Sequence, residues 1–213
     1  MQTFGLKDEY IKLGQLLKAT GLVGSGVDAK IVVQEGLVKV NGKVCYMRGK
    51  KIVSGDIVEF ENEKIVLFED FMKEVSSKDL ILAIELKEEG IEKETLEIIK
   101  KYYNKANVFI TSFIYNALLN VRKLDKTIKI GWLIKEDINQ KNILEFMKIS
   151  GNQICPPADL VSENGIKLAR KNNLGVRLWG VSNENIMLKV YNLDIDGMTV
   201  NFPDKLNELI MNN

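Results

Sequence analysis

From Leu80 onward one pattern repeats. Short, nearly continuous apolar runs (LILAIEL, NVFITSF, IKIGWLI, NQICPP, GVRLWGV and DGMTV) alternate with segments whose apolar residues fall at helical spacing. The helical segments lie at about 93–105, 114–124, 138–150, 162–172, 184–193 and 205–211. Apolar strands alternating with amphipathic helices predict a parallel sheet covered by helices, an α/β architecture. Six strands occupy about 145 residues here, whereas a closed (β/α) barrel takes eight strands and typically about 250 residues. The barrel this pattern describes is therefore incomplete.

The stretch before it has another texture. Ile11, Leu13, Leu16, Leu17 and Leu22 form a helical stripe ended by Gly21 and the Gly24-Ser25-Gly26 turn. Ser25 is placed to cap a second helix, with Asp28 in its first turn and Ala29, Val32 and Val33 on its buried face. After Gly36 come a strand at Leu37, Val38 and Val40, the hairpin signal Asn41-Gly42, and Val44 and Tyr46 on the return. A basic loop, MRGKK, leads to the Ser54-Gly55-Asp56 turn and a strand through Ile57, Val58 and Phe60; 61–68 predicts one more strand. The Gly24–Gly26 turn follows a helix rather than a strand and lacks GK[ST], so it reads as a turn and not a phosphate loop. Residues 70–78 are polar and predict a linker. The expected division is thus a domain at 1–69, a linker at 70–78 and a second domain at 79–213.

A net charge of +1 conceals an uneven distribution. Lys12, Lys18, Lys30, Lys39, Lys43, Arg48, Lys50 and Lys51 face only Asp28 and Glu35 between positions 12 and 51. From Glu69 to the end, 20 basic residues meet 21 acidic ones. A polyanionic partner is therefore expected for the first domain alone. The chain has no histidine, which excludes Ser-His-Asp and Cys-His catalysis and His-ligated zinc. Cys45 and Cys155 are read as reduced thiols. No apolar run approaches the roughly 18 residues of a membrane span, so no membrane partner is expected and the cytoplasm is the expected compartment.

The strings LGQLLKATGLVGSG, DAKIVVQEG, VKVNGKV and SGDIVEF resemble, in order and spacing, the S-four RNA-binding domain, over about residues 8–68. The IKLGQLLK opening and the RGKK loop before GD are most similar to the short stand-alone bacterial members. The resemblance implies that structured RNA lies against the second helix and the hairpin, recognised by shape and phosphate. Lys30, Lys39, Lys43, Arg48, Lys50 and Lys51 are the expected RNA-binding residues, with Lys12 and Lys18 weaker candidates. Arg48 offers the planar fork suited to phosphate. With Tyr46 the lone aromatic in the cluster, stacking on single strands is not expected.

The second part resembles the glycerophosphodiester phosphodiesterase family, a (β/α) barrel, over about residues 79–209. IELK at 84–87 is similar to its strand carrying a glutamate metal ligand followed by lysine. ITSF with IYNALLNVRKLD, IKIGWL, RLWGVSN with Trp179, and DGMTVNFPDKL are similar to its later strands and helices; Gly180 and Ser182 depart from its pattern. The family's first strands supply two histidines as acid and base, with further carboxylates for a divalent ion. None of these motifs stands in this chain. The resemblance carries over only Glu85 as a metal ligand, Lys87 on the phosphate side and Trp179 as pocket wall. One carboxylate does not hold a divalent ion, because such sites recruit several oxygens. The expected protein is thus α/β: a small α+β S-four-like domain followed by an incomplete (β/α) barrel of about six parallel strands. It would bind RNA, need no cofactor, and carry an inactive barrel that serves for homodimerisation or for docking a partner. The alternative is a phosphodiesterase with a divalent metal at Glu85, completed by a second chain.

Overall fold

The structure, a computed structural model, describes residues 2–6, 8–61 and 63–211. It divides into two compact units, residues 1–80 with 94–104, and residues 81–93 with 105–213.

The first unit begins with strands β1 (Gln2–Phe4) and β2 (Ile11–Lys12), then helices α1 (Leu13–Ala19) and α2 (Gly26–Gln34). Strands β3 (Val38–Val40), β4 (Lys43–Val44), β5 (Lys51–Ile52), β6 (Val58–Phe60) and β7 (Glu63–Leu67) follow, and helix α3 (Phe68–Val75) closes the run. Five strands make a sheet in the order β1-β7-β6-β3-β4, and β2 pairs antiparallel with β5. Alternation along β3 and β6 sends Val38, Val40, Val58 and Phe60 inward. There they meet Leu13, Leu16 and Leu17 of α1 and Ala29 and Val33 of α2. Ser25 caps α2 as its position predicts, its Oγ accepting the amides of Val27 at 3.2 Å and Asp28 at 3.1 Å.

The Asn41-Gly42 turn has φ of +54° and +75°, the geometry that makes this dipeptide a hairpin signal. Asn41 also joins two turns. Its Nδ2 donates to Asp56 Oδ1 at 2.7 Å and its Oδ1 accepts the Ile57 amide at 2.8 Å, while Asp56 Oδ2 accepts the Val53 amide at 3.0 Å. The VNG and SGD strings are therefore one hydrogen-bonded unit.

The stretch 70–78 differs from the expected linker. Most of it belongs to α3, whose Phe68, Met72 and Val75 are buried at helical spacing beneath an acidic and basic outer face. Polarity alone hides that stripe. The first unit also takes in residues 94–104, most of helix α4 (Glu92–Tyr102), so the boundary expected between 69 and 79 is not a single cut. Glu69 of α3 accepts hydrogen bonds from Lys101 Nζ at 3.0 Å and Tyr102 Oη at 2.6 Å; these donors bring its carboxyl below the ordinary range despite opposition from burial. The Tyr103 hydroxyl lies within hydrogen-bond reach of the carbonyls of Lys78 and Leu80.

The second unit holds β8 (Leu82–Glu85), β9 (Val108–Ser112), β10 (Lys129–Leu133), β11 (Gln153–Cys155), β12 (Gly175–Val181) and β13 (Gly197–Val200). Its helices are α5 (Tyr115–Leu124), α6 (Gln140–Met147), α7 (Glu163–Lys171), α8 (Glu184–Tyr191) and α9 (Pro203–Met211). The six strands are parallel and lie in chain order, β13-β12-β11-β10-β9-β8. Val108, Ile110, Ile130, Ile154, Val176 and Leu178 share one pleat face and are buried. The sheet curls: Phe113, just past β9, meets Trp179 of β12 edge to face at 5.1 Å although two strands separate them. The result is a curled half-barrel whose edges, β8 and β13, have no further strand among the described residues.

Arg122 of α5 ties this unit together from within. Its buried guanidinium donates to the carbonyls of Asp125, Ile128, Ile149 and Ser150 and to Asn152 Oδ1. Every acceptor is a neutral oxygen, so this cation serves structure rather than ligand binding.

Candidate functional site

Five of the eight cations between Lys12 and Lys51 fall into two hollows joined by the 45–50 loop. One, of about 380 Å³, is lined by Lys12, Lys18 and Arg48 with Gln15 and the backbone of Gly14, Gly26 and Gly49. Arg48 is held there by three contacts. Its carbonyl accepts the Gly14 amide at 3.0 Å, its stem lies on Gly14, and its Nη1 donates to the Gly26 carbonyl at 3.3 Å. This fixes a guanidinium across the start of α2. The second hollow, about 590 Å³, is lined by Lys43, Lys50, Tyr46, Met47 and neighbouring residues of the hairpin.

The remaining expected cations stand apart. Lys30 projects from α2 and Lys39 from the outer face of β3, where its cross-strand neighbours are Val44 and Glu59. Lys51 pairs across the β2–β5 ladder with Lys12, and its ammonium lies 4.0 Å from the Tyr10 ring centroid. Lys12 and Lys18, the weaker candidates by sequence, are the ones the fold gathers around Arg48. Tyr46 and Met47, 64% and 65% exposed, stand in the open beside Lys43 and Lys50. The spacing of single residues in a loop gave no signal for that grouping.

None of these cations is ion-paired among the described residues. In the rest of the chain Lys73, Lys101, Lys105, Lys167, Arg170 and Lys205 all have carboxylate partners. The eight cations between Lys12 and Lys51 are thus free of carboxylate partners among the described residues, which suits a polyanion.

On the half-barrel, Glu85 and Lys87 are exposed at the C-terminal end of β8. Trp179 is half-buried, its Nε1–H donating to the Ile134 carbonyl at 3.0 Å and its ring packed on Phe113. No hydrogen bond or ring contact joins Glu85 or Lys87 to Trp179 among the described residues. Nor do the described residues contain a group of three acidic or cysteine side chains able to hold a metal. The residues present do not fit a divalent ion, whose oxygen ligands must converge.

An α+β unit whose cations are unpaired among the described residues, followed by a curled parallel half-barrel, is the arrangement expected of an RNA-binding type of module joined to part of a phosphodiesterase barrel. Comparison with known proteins agrees. Residues 51–205 match the glycerophosphoryl diester phosphodiesterase family, and the chain belongs to that family. Residues 4–67 match the S4 domain.

The chain is 25% identical over 159 residues to the uncharacterized protein YqiK of Bacillus subtilis. It is 23% identical over 157 residues to a glycerophosphodiester phosphodiesterase of Caldanaerobacter subterraneus. These matches cover 72% and 71% of this chain but only 65% and 64% of the relatives' lengths. Its first part is 42% identical over 66 residues to YbcJ of Escherichia coli, a candidate RNA-binding protein, covering 30% of this chain and 94% of that one. The fold is similar to a phosphodiesterase of Oleispira antarctica solved with sn-glycerol-3-phosphate, with a TM-score of 0.63 at 21% identity over 70% of this chain and 63% of that one. A glycerophosphodiester phosphodiesterase of Parabacteroides distasonis gives a TM-score of 0.62 at 14% identity, over 72% and 68% of the two chains. No helix among the described residues is long and apolar enough to cross a membrane.

Proposed function

We propose that this chain is a cytoplasmic protein that binds structured RNA through its S4 domain, and that its half-barrel hydrolyses no phosphodiester and serves for pairing two copies. The observation that carries the first statement is the unpaired state of all eight cations between Lys12 and Lys51 among the described residues. Arg48 is the best-placed group, already oriented by Gly14 and Gly26, so little ordering remains when it meets a phosphate. Lys12 and Lys18 beside it, and Lys43 and Lys50 across the loop, supply further phosphate contacts.

The second statement rests on chemistry. Phosphodiester hydrolysis needs charge stabilisation and proton transfer. The chain has no histidine, and the described residues, Glu85 included, form no group of three acidic or cysteine side chains able to hold a metal. The unpaired edges at β8 and β13 are surfaces that a second copy would cover.

Filter binding to a structured RNA at a series of salt concentrations tests the RNA reading. Affinity is expected to fall steeply with salt, and Arg48→Glu with Lys50→Glu to flatten the log–log slope by about 1.5 to 2, as the loss of two phosphate contacts requires. A flat salt response, or a double variant that binds as the parent does, refutes it.

One observation favours a second reading, a phosphodiesterase completed by another chain. Glu85 stands at a strand's C-terminal end with no hydrogen bond or ion pair among the described residues, and so is open to a ligand. Hydrolysis of a glycerophosphodiester with Mg²⁺ or Ca²⁺ that disappears in Glu85→Gln would establish it; absence of turnover with either ion removes it.

A further inference from the structure

The sheet face turned away from the helices carries a hollow distinct from the basic residues of the first unit and from Glu85. It lies at the N-terminal ends of the strands, opposite the end that bears Glu85 and Lys87. Its volume is about 500 Å³, and Ile81, Phe109, Lys129, Gln153, Arg177 and Asp196 contribute to its walls. Register explains the grouping. Phe109 is level with Ala83 and Lys129, Gln153 with Gly175, and Arg177 with Gly197, all on the pleat face opposite Ile110, Ile130 and Ile154. In a closed barrel this face is filled by layers of side chains.

The charges in the hollow do not balance. The Asp196 carboxylate is engaged elsewhere, accepting from Arg170 Nη1 at 3.1 Å on each oxygen and from the Val176 amide. Lys129 holds its ammonium 5.1 Å from the Phe109 ring centroid and has no ion pair among the described residues. Arg177 has none either. Its Nη1 donates to Thr199 Oγ1 at 3.4 Å, and its Nε is sealed from solvent with no acceptor among the described residues. The adjoining Cys155 gives no counter-charge, because burial, outweighing the nearby Arg177, pushes its thiol up to about 11. A sheltered guanidinium with an unsatisfied N–H is rare in folded proteins, since its desolvation is not offset. Two cations on one wall, neither ion-paired among the described residues, suit an oxyanion.

We propose that this hollow is a binding site for a small phosphomonoester. The phosphate lies between the Arg177 fork and the Lys129 ammonium, the Gln153 amide donates to it, and the organic part rests on Phe109 and Ile81. Arg177 presents the planar donor set that phosphate oxygens accept, and the volume falls in the range of small-molecule sites. The proposal does not depend on RNA binding, because none of its residues lies in the S4 domain.

Calorimetric titration of the full chain with phenyl phosphate and with inorganic phosphate, at matched ionic strength, tests it. Both are expected to bind saturably at one site, phenyl phosphate more tightly. Arg177→Gln should weaken phenyl phosphate at least about tenfold, as loss of a charge-assisted hydrogen bond implies, and Lys129→Gln by a smaller factor. Phe109→Leu should remove the advantage of phenyl phosphate over inorganic phosphate. Arg48→Glu with Lys50→Glu should leave binding unchanged. Lys129 is exposed, so Lys129→Gln decides the matter if melting curves show that Arg177→Gln is unfolded. No saturable binding, binding that survives Lys129→Gln and Arg177→Gln, or binding lost in Lys87→Gln or in the Arg48/Lys50 variant would overturn the proposal.

Discussion

A methyl group at position 14 would stand 2.4 Å from Arg48 Cγ, so this glycine lets the arginine lie flat on α1. Gly14→Ala gains up to about 1 kcal/mol of helix propensity while displacing Arg48 from its perch. The expected result is a melting temperature near that of the parent with clearly weaker RNA binding, read by thermal unfolding alongside filter binding. Asp125 acts at the same scale in the second unit. Burial alone would raise its carboxyl; the Lys105 ammonium at 2.9 Å, the amides of Thr127 and Ile128 and the Thr127 hydroxyl outweigh burial and hold it far below the usual range. A folded-state value below the unfolded one means the stabilisation is present above pH about 4 and is lost as pH falls below it. Asp125→Ala is expected to cost about 2 kcal/mol at neutral pH and to flatten the acid limb of a stability–pH curve measured by denaturant unfolding. Neither role was legible in the sequence. Gly14 lies within a motif without announcing its partner, and Asp125 is one turn acid among many; both depend on neighbours far along the chain.

The strands of the half-barrel were legible because each is a run of buried residues broken by helical spacing, a local signal. The helix start at Ser25 was legible for a like reason, a side-chain oxygen just ahead of a stripe. Helix α3 was not, because three buried residues among FEDFMKEV are outnumbered by charges. Strand β1 escaped as well: three residues, QTF, gain their structure from a parallel partner, β7, more than sixty positions away. If α3 is an integral part of the first unit, Met72→Ala, at a fully buried position, should lower stability by about 2 to 5 kcal/mol, measured by chemical unfolding. A surface linker would tolerate the change.

At the scale of the molecule, the outermost strands set the expected behaviour in solution. Edge strand β8 begins beside Ile81, which is 77% exposed, and β13 offers the opposite rim. Unpaired rims of this kind are covered in stable proteins or become sites of association. Sedimentation equilibrium is expected to give a dimer, and Ile81→Glu to shift it toward monomer; a parent that stays monomeric at high concentration removes the pairing proposal. The half-barrel's incompleteness was readable from strand count and length, whereas the grouping of basic residues into two hollows was not, because it depends on how the 45–50 loop folds back over Gly14.

The backbone passes from one compact unit to the other at 80/81, returns at 93/94 and leaves again at 104/105. Severing the polypeptide after Leu80 would strip the N-terminal half of the helical segment that brings Lys101 and Tyr102 to Glu69. The two units thus alternate along the sequence: the first cannot be excised whole by one scission, and a fragment ending at Leu80 would be a poorer fold than the same residues within the intact chain.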